Sequence, residues 1–243
     1  MNLRFWRKIQ LTDDLTAMNR VTICIAEFFG TAILTFVGCM GCAHYSSEMP
    51  RPLIESAFSF GLAVTMAIQS VGHISGAHIN PIITLGAFIV GFLPAIEIPI
   101  YFIGQFSGSF AGFALVKLLL PETYIFGTFN SEDGICAVGL NPKLTPMQGF
   151  GIETVISFVL VTIGCAVWDY RNMFRSETVS IRFGFAVAAI VLAAGPFTAA
   201  HMNPARTLGP LVLNGYWKHH WIFWAGPFTG CIVASCLYSI IFD

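Results

Sequence analysis

The chain has 243 residues, 56% of them hydrophobic and only 10% charged, with a mean hydropathy of +0.74. That balance lies well outside the range of soluble domains and makes the chain a membrane protein. A net charge of -1 without a basic patch gives no sign of a nucleic-acid partner. Seven cysteines (Cys24, Cys39, Cys42, Cys136, Cys165, Cys231, Cys236) are scattered through mostly apolar runs. They read neither as a disulfide framework nor as a paired metal set, and the lone Cys39-x-x-Cys42 is not read as a redox or zinc site. The N-terminus, with Arg4, Trp6, Arg7 and Lys8, leads into polar residues and shows no cleavable-signal pattern.

In chain order, six apolar runs are long enough to cross a bilayer: about 21–41, 53–71, 96–120, 149–168, 181–199 and 221–242. Shorter apolar segments at 81–92 and 204–213 follow the second and fifth runs. The connections are brief except for 121–146, which is rich in Gly, Pro and polar residues and reads as an ordered outer loop. Six spans put both termini on one side. That side carries Arg4, Arg7, Lys8, Arg20, Arg171, Arg175 and Arg182, against Arg51, Lys117, Lys143 and Lys218 on the other. The excess predicts cytoplasmic termini.

Each short segment opens on a matching stretch. The first is Ser75-Gly76-Ala77-His78-Ile79-Asn80-Pro81, the second Thr198-Ala199-Ala200-His201-Met202-Asn203-Pro204. Proline suits the first turn of a helix, where its missing N–H has no intrahelical partner. Asn-Pro therefore predicts a helix start, with extended backbone before it. A helix of about ten residues rises roughly 15 Å, half the hydrocarbon thickness of a bilayer.

The repetition extends further. Phe60-Gly61-Leu62-Ala63-Val64 returns as Phe183-Gly184-Phe185-Ala186-Val187, and Gly104-x-Phe106-x-Gly108 returns as Gly226-x-Phe228-x-Gly230. Glu27, Leu34, Gly38 and Cys39 are matched by Glu153, Leu160, Gly164 and Cys165. Each half holds three spans, an odd number, so the second half enters from the opposite face. The reading is one all-α membrane domain covering 1–243, with six transmembrane helices and two half-helices. It is an inverted repeat of about 20–120 and 147–242, with its site at the midplane between the halves.

On Ala26-Glu27-Phe28, the Ser75–Pro81 stretch and Met202-Asn203-Pro204-Ala205-Arg206, the chain resembles the aquaporin (major intrinsic protein) family from first span to last. The resemblance implies six tilted helices, two half-helices meeting in a narrow pore, and a homotetramer. Two departures stand out: Ile82 follows Asn80-Pro81 where the family usually has alanine, and one filter position is changed.

Physically, non-helical backbone at membrane depth must be covered by protein or line a wet cavity. Gly76, Ala77 and His78, with Ala199, Ala200 and His201, are expected to present carbonyls as a ladder of acceptors. Asn80 and Asn203 are expected to donate to a solute oxygen at the midplane, which interrupts a proton wire. Arg206, one turn into the second half-helix, marks a pathway by its cost in a membrane. Glu27 and Glu153 are read as the only carboxylates inside spans, accepting from the N–H groups of the Asn-Pro loops and bracing them, with His78 and His201 in the same role. No cofactor or metal is expected; His73 and His78 lack a third ligand.

In strict water channels the constriction combines a Phe, a His twelve residues before the second Asn, a small residue and the Arg. By resemblance those places hold Phe60, Val191, Ala200 and Arg206 here. Valine removes a polar wall, implying a wider hole that admits glycerol or urea as well as water. Thr207 follows Arg206 where typical aquaglyceroporins carry Asp, a pattern similar to insect entomoglyceroporins. Ile82 is expected to narrow the midplane. A strictly water-selective channel is the nearest alternative. A proton-coupled transporter using Glu27 or Glu153, and a membrane-junction structural protein of low permeability, are the alternatives from other classes. No nucleophile–base pair or phosphate loop points to an enzyme. The expected setting is a lipid bilayer, by resemblance the plasma membrane, with water and small polar solutes as partners.

Overall fold

The computed structural model describes residues 17–44, 52–127 and 133–242, and within these every regular element is helical. Arg4, Arg7, Lys8 and Arg51 of the charge comparison, and part of the outer loop, lie outside the described residues. Six long helices match the six apolar runs: α1 (Ala17–Met40), α2 (Leu53–Ser75), α4 (Ile98–Leu119), α6 (Pro146–Trp168), α7 (Val179–Thr198) and α9 (Ile222–Phe242). The half-helices are α3 (Pro81–Ile89) and α8 (Pro204–Asn214), and a single short helix, α5 (Glu122–Phe126), lies in the outer connection. The chain is an integral, multi-pass membrane protein.

The ends of these helices follow local chemistry. α2 runs four residues past its predicted end and stops at Gly76, whose φ of 81° places it in the left-handed region. α6 starts three residues early because Thr145 and Gln148 form a reciprocal capping box just ahead of Pro146. α3 ends at Ile89, short of the predicted residue 92, where the Phe92 amide turns back to the Ala87 carbonyl and Gly91 takes a φ of 76°.

The long helices pack in pairs, α1 on α4, α6 on α9, and α2 on α7. The repeated glycines sit at these crossings. A Cβ on Gly61 would come within 2.5 Å of the Gly184 carbonyl oxygen, so α2 and α7 touch backbone to backbone. Gly104, Gly108 and Gly112 of α4 face the backbone of α1 in the same way, and Gly226 and Gly230 of α9 face α6. Without a hydrophobic force between helices in lipid, close approach through small residues is what holds a bundle together. Large apolar side chains then point outward, among them Ile103, Leu118 and Ile240. The half-helices fill the space inside: α8 packs on α4, and α3 on α9 and α6.

Two expectations are corrected. Cys39 at the end of α1 is disulfide-bonded to Cys136 in the outer connection, with Cα atoms 5.7 Å apart across 97 residues of sequence. The pairing joins a helix end to a distant loop, so spacing alone held no sign of it. The spans also hold carboxylates beyond Glu27 and Glu153. Glu55 lies in the first turn of α2, and Glu97, buried just before α4, accepts from Arg20 Nε at 3.0 Å.

Candidate functional site

Both Asn-Pro stretches start a half-helix as expected, but the extended backbone expected before them is corrected, since several residues there are left-handed. Asn80 and Asn203 are extended N-caps, and proline occupies the first helical position in each case. The Asn80 side-chain oxygen accepts from the Ile82 amide at 3.1 Å, and that of Asn203 from Ala205 and Arg206 at 2.9 and 3.1 Å. Each amide nitrogen reaches across the midplane. Asn80 Nδ2 donates to the Met202 carbonyl at 2.9 Å, and Asn203 Nδ2 donates to the Ile79 carbonyl at 2.9 Å. The two tips are thus tied to each other.

Ahead of each tip the backbone passes through left-handed conformations that non-glycine residues rarely adopt. Ala77 and Ile79 both have φ 46°, and Ala199, Ala200 and Met202 have φ 59°, 48° and 50°. A β-branched residue in that region is an outlier that needs outside support. Buried carboxylates supply it. Glu27 Oε1 accepts from Ser75 Oγ (2.6 Å) and the His78 amide (2.9 Å), and Oε2 from the Ile79 amide (2.7 Å) and Gln105 Nε2 (2.8 Å). Glu153 Oε1 accepts from Thr198 Oγ1 (2.6 Å) and the His201 amide (3.0 Å), and Oε2 from the Met202 amide (2.9 Å). Both carboxyl groups are fully buried. Charge-assisted hydrogen bonds of this kind are about twice as strong as neutral ones.

The histidines lean on the half-helices they precede. His78 Nδ1 lies 3.2 Å from Thr84 Oγ1, and His201 Nδ1 lies 2.8 Å from Thr207 Oγ1. The His78 ring packs on Tyr101, whose hydroxyl donates to the Ser75 carbonyl, and the His201 ring packs on Phe223.

A cavity of about 90 Å³, room for several waters, runs past both tips. It is lined by Asn80 and Asn203, by residues 76–78 and 199–201, and by Phe60, Val191 and Arg206. The Arg206 guanidinium stacks 4.5 Å above the Phe60 ring, and its Nη1 donates to the Cys136 carbonyl at 3.2 Å. At the other end Trp168, stacked on Phe92, borders the same cavity.

The family model for major intrinsic proteins matches residues 14–238. The chain belongs to that family. Its members are passive channels, not enzymes, and the helical frame described above is the family's. Aquaporin-8 of Mus musculus is 32% identical over 219 residues, covering 90% of this chain and 81% of the relative. The lens fiber major intrinsic protein of Gallus gallus is 34% identical over 216 residues, covering 89% and 79%. Among solved structures, the aquaglyceroporin from Plasmodium falciparum superposes with a TM-score of 0.79 at 25% identity, covering 91% of this chain and 96% of that one.

Of the residues singled out in this channel chain, Pro81, Ile82, Pro204 and Ala205 are buried but do not line the cavity. Ile82 is fully buried, and its carbonyl accepts from Cys231 Sγ of α9. The expectation that it narrows the midplane is therefore corrected. One residue further round the helix, Ile83 takes the lining place. Residues that the sequence reading missed are Gln105, which bridges Glu27 and Thr84, and the carbonyls of Cys136 and Ala137. Gln105 had a signal, a polar amide in the middle of an apolar span. The carbonyls had none, because backbone groups leave no trace in residue type. Among the described residues, no group of three or more His, Cys, Asp or Glu is placed to hold a metal.

Proposed function

We propose that the protein is a passive channel for water and small uncharged solutes such as glycerol and urea, and that it excludes protons and ions. In this reading it is one domain, built from inverted repeats at about 20–120 and 147–242. The observation that carries the reading is that both tip asparagines and Arg206 face one continuous cavity.

Each asparagine oxygen is occupied as a helix cap, and one amide hydrogen is given to the opposite loop. The other amide hydrogen remains for a passing oxygen. A water accepting from both asparagines cannot accept from its neighbours in the file at that moment, so proton hopping stops there. The carbonyls of 76–78 and 199–201 offer acceptors on the way in and out. Two half-helix N-termini add roughly +0.5 charge each. At about 5 Å and an effective dielectric near 20, they oppose a monovalent cation by about 3 kcal/mol.

Phe60, Val191, Ala200 and Arg206 form the constriction in this reading. Val191 and Phe60 give an apolar wall for the carbon face of a polyol, while Arg206 donates to its hydroxyls. Glu27 and Glu153 brace the tips and take no part in proton coupling. The Cys39–Cys136 disulfide supports an orientation with the end of α1 facing an oxidising exterior and both termini cytoplasmic, consistent with residence in the plasma membrane. A homotetramer is proposed from family resemblance, and chemical cross-linking in native membranes tests it.

Osmotic swelling of proteoliposomes with water, glycerol and urea tests the function. Val191→His should keep water flow and slow glycerol roughly thirtyfold, the factor for about 2 kcal/mol at the barrier. Wild type that passes water but neither glycerol nor urea would make this a water-only channel despite its valine. Ion currents without osmotic water flux would overturn the channel reading.

A further inference from the structure

We propose that the Cys39–Cys136 disulfide positions Arg206, so that the redox state of this one bond sets the width of the outer constriction. The inference rests on the reading of Arg206 as part of that constriction.

Residues 135–141, ahead of α6, pass beside Arg206 and His201. The ends of this stretch are held by hydrogen bonds: the Ile135 amide to the Ile125 carbonyl at 2.9 Å, and the Asn141 amide to the Phe197 carbonyl at 2.9 Å. Between those ties the peptide turns through Cys136, at a left-handed φ of 60°. Here two successive carbonyls face inward. Cys136 O accepts from Arg206 Nη1 at 3.2 Å, and Ala137 O lies 3.3 Å from His201 Nε2. Arg206 Nη1 is also 2.8 Å from His201 Nδ1. The guanidinium is thus held to the wall by acceptors whose place depends on Cys136, and Cys136 is fixed covalently to α1.

The same turn of α1 sets the opposite side of the guanidinium. Gly38, next to Cys39, leaves a space that the Phe60 ring fills, and Arg206 stacks on that ring. The matching place in the second half is Gly164-Cys165, and Cys165 carries no disulfide. The clamp therefore belongs to one mouth of the channel, the one bearing the arginine.

A small dithiol opens the bond with a simple balance. The S–S bond breaks, Cys39 and Cys136 each gain an electron and a proton, and the dithiol closes to its own disulfide. The 136–137 peptide then loses its anchor, Arg206 loses its carbonyl acceptor, and the guanidinium relaxes over Phe60 into the lumen. The expected effect is narrowing, felt more by a polyol than by water.

The test is swelling of proteoliposomes carrying the full chain, with and without external dithiothreitol, with the thiol count read by alkylation and mass. Reduction should slow glycerol about fivefold and water about twofold, the size expected from one lost hydrogen bond at the barrier. Cys136→Ala and Cys39→Ala should show the reduced behaviour and ignore the reagent. The proposal is overturned if the two cysteines are found unpaired in oxidised protein, or if the bond stays intact in excess dithiothreitol. It is equally overturned if reduced wild type, or both alanine variants, conduct as the oxidised protein does. Val191→His separates this from the constriction itself. If that variant changes the glycerol-to-water ratio while reduction does not, the constriction stands and the clamp falls. If neither changes the ratio, both fall.

Discussion

At the first helix tip Glu27 gathers four donors, two of them backbone amides, one a hydroxyl and one the Gln105 amide. At the second, Glu153 gathers three, and the place matching Gln105 is Pro227 in α9. The lining differs in the same spirit. Counting 123 residues along, Phe60 is matched by Phe183, Ile68 by Val191, Ala77 by Ala200 and Ile83 by Arg206, and all of these border the cavity. These four places are thus apolar at one end, where their matches at the other include a single cation. The pair of tips shows how a duplicated frame can keep its braces and place all of its charge chemistry at one mouth. The arginine has no counterpart at the first tip, where Ile83 stands in its place.

The largest expected effect falls on the two braces. Glu153→Gln and Glu27→Gln should each cost about 3–5 kcal/mol, as expected for removing one partner of a buried charged network. Yield of monodisperse protein after detergent extraction measures it. Both variants accumulating normally, with only the pH dependence of uptake changed, would sink the bracing role and favour a proton-coupled carrier. Next comes Ile82, whose match in the second half is Ala205. Ile82→Ala should cost about 2–4 kcal/mol as a core truncation, lowering the melting temperature. Its glycerol-to-water ratio should equal that of wild type; a changed ratio would put Ile82 back into the lumen.

Gln105→Leu should sharpen the contrast between braces. It removes a hydrogen bond to Glu27 but also an amide oxygen that has no partner, so the expected cost is about 1–2 kcal/mol in thermal melts. A loss as large as that of Glu27→Gln would mean that the first brace cannot do what the second does. The smallest effect lies at the helix ends. Where α1 is held by a disulfide, α6 is held by Asp169, which accepts from Arg171 and from the Tyr238 hydroxyl of α9. The Arg171 guanidinium holds the Asp169 carboxyl down to about 2. A depressed carboxylate stabilises above its ordinary value near 3.8 and loses that contribution as pH falls towards 2. Asp169→Asn should therefore cost about 1 kcal/mol or less at neutral pH, with half-exposed Arg171 limiting the gain. The gap in melting temperature from wild type should close between pH 4 and about 2. A gap that persists at the acid end would assign the effect to packing.

Much of this was legible in the chain because membrane spans are written in side chains. Length and apolarity gave six helices to within a few residues, and Asn-Pro gave both half-helix starts. The braces were readable from carboxylates deep in apolar runs, though Glu97 shows that a run boundary near a helix start also admits one. What escaped was carried by geometry that residue type does not record. Cys39 and Cys136 look like five other cysteines in similar surroundings, and only the fold brings them together. Ile82 looked exposed to the lumen because it follows the tip. The direction in which a helix leaves its cap turns that residue away and presents Ile83.

The crossed bonds between the tips bear on how the protein is made. Asn80 gives its amide to a carbonyl that is synthesised 122 residues later. At roughly 5–20 residues per second, the ribosome needs about 6–24 s to supply it. Throughout that interval the first tip, with Glu27 already available to shape it and Gln105 joining later in the chain, keeps a polar amide at membrane depth without its lasting mate. A chain interrupted before Met202 remains in that state indefinitely, a recognisable target for the machinery that clears unfinished membrane proteins.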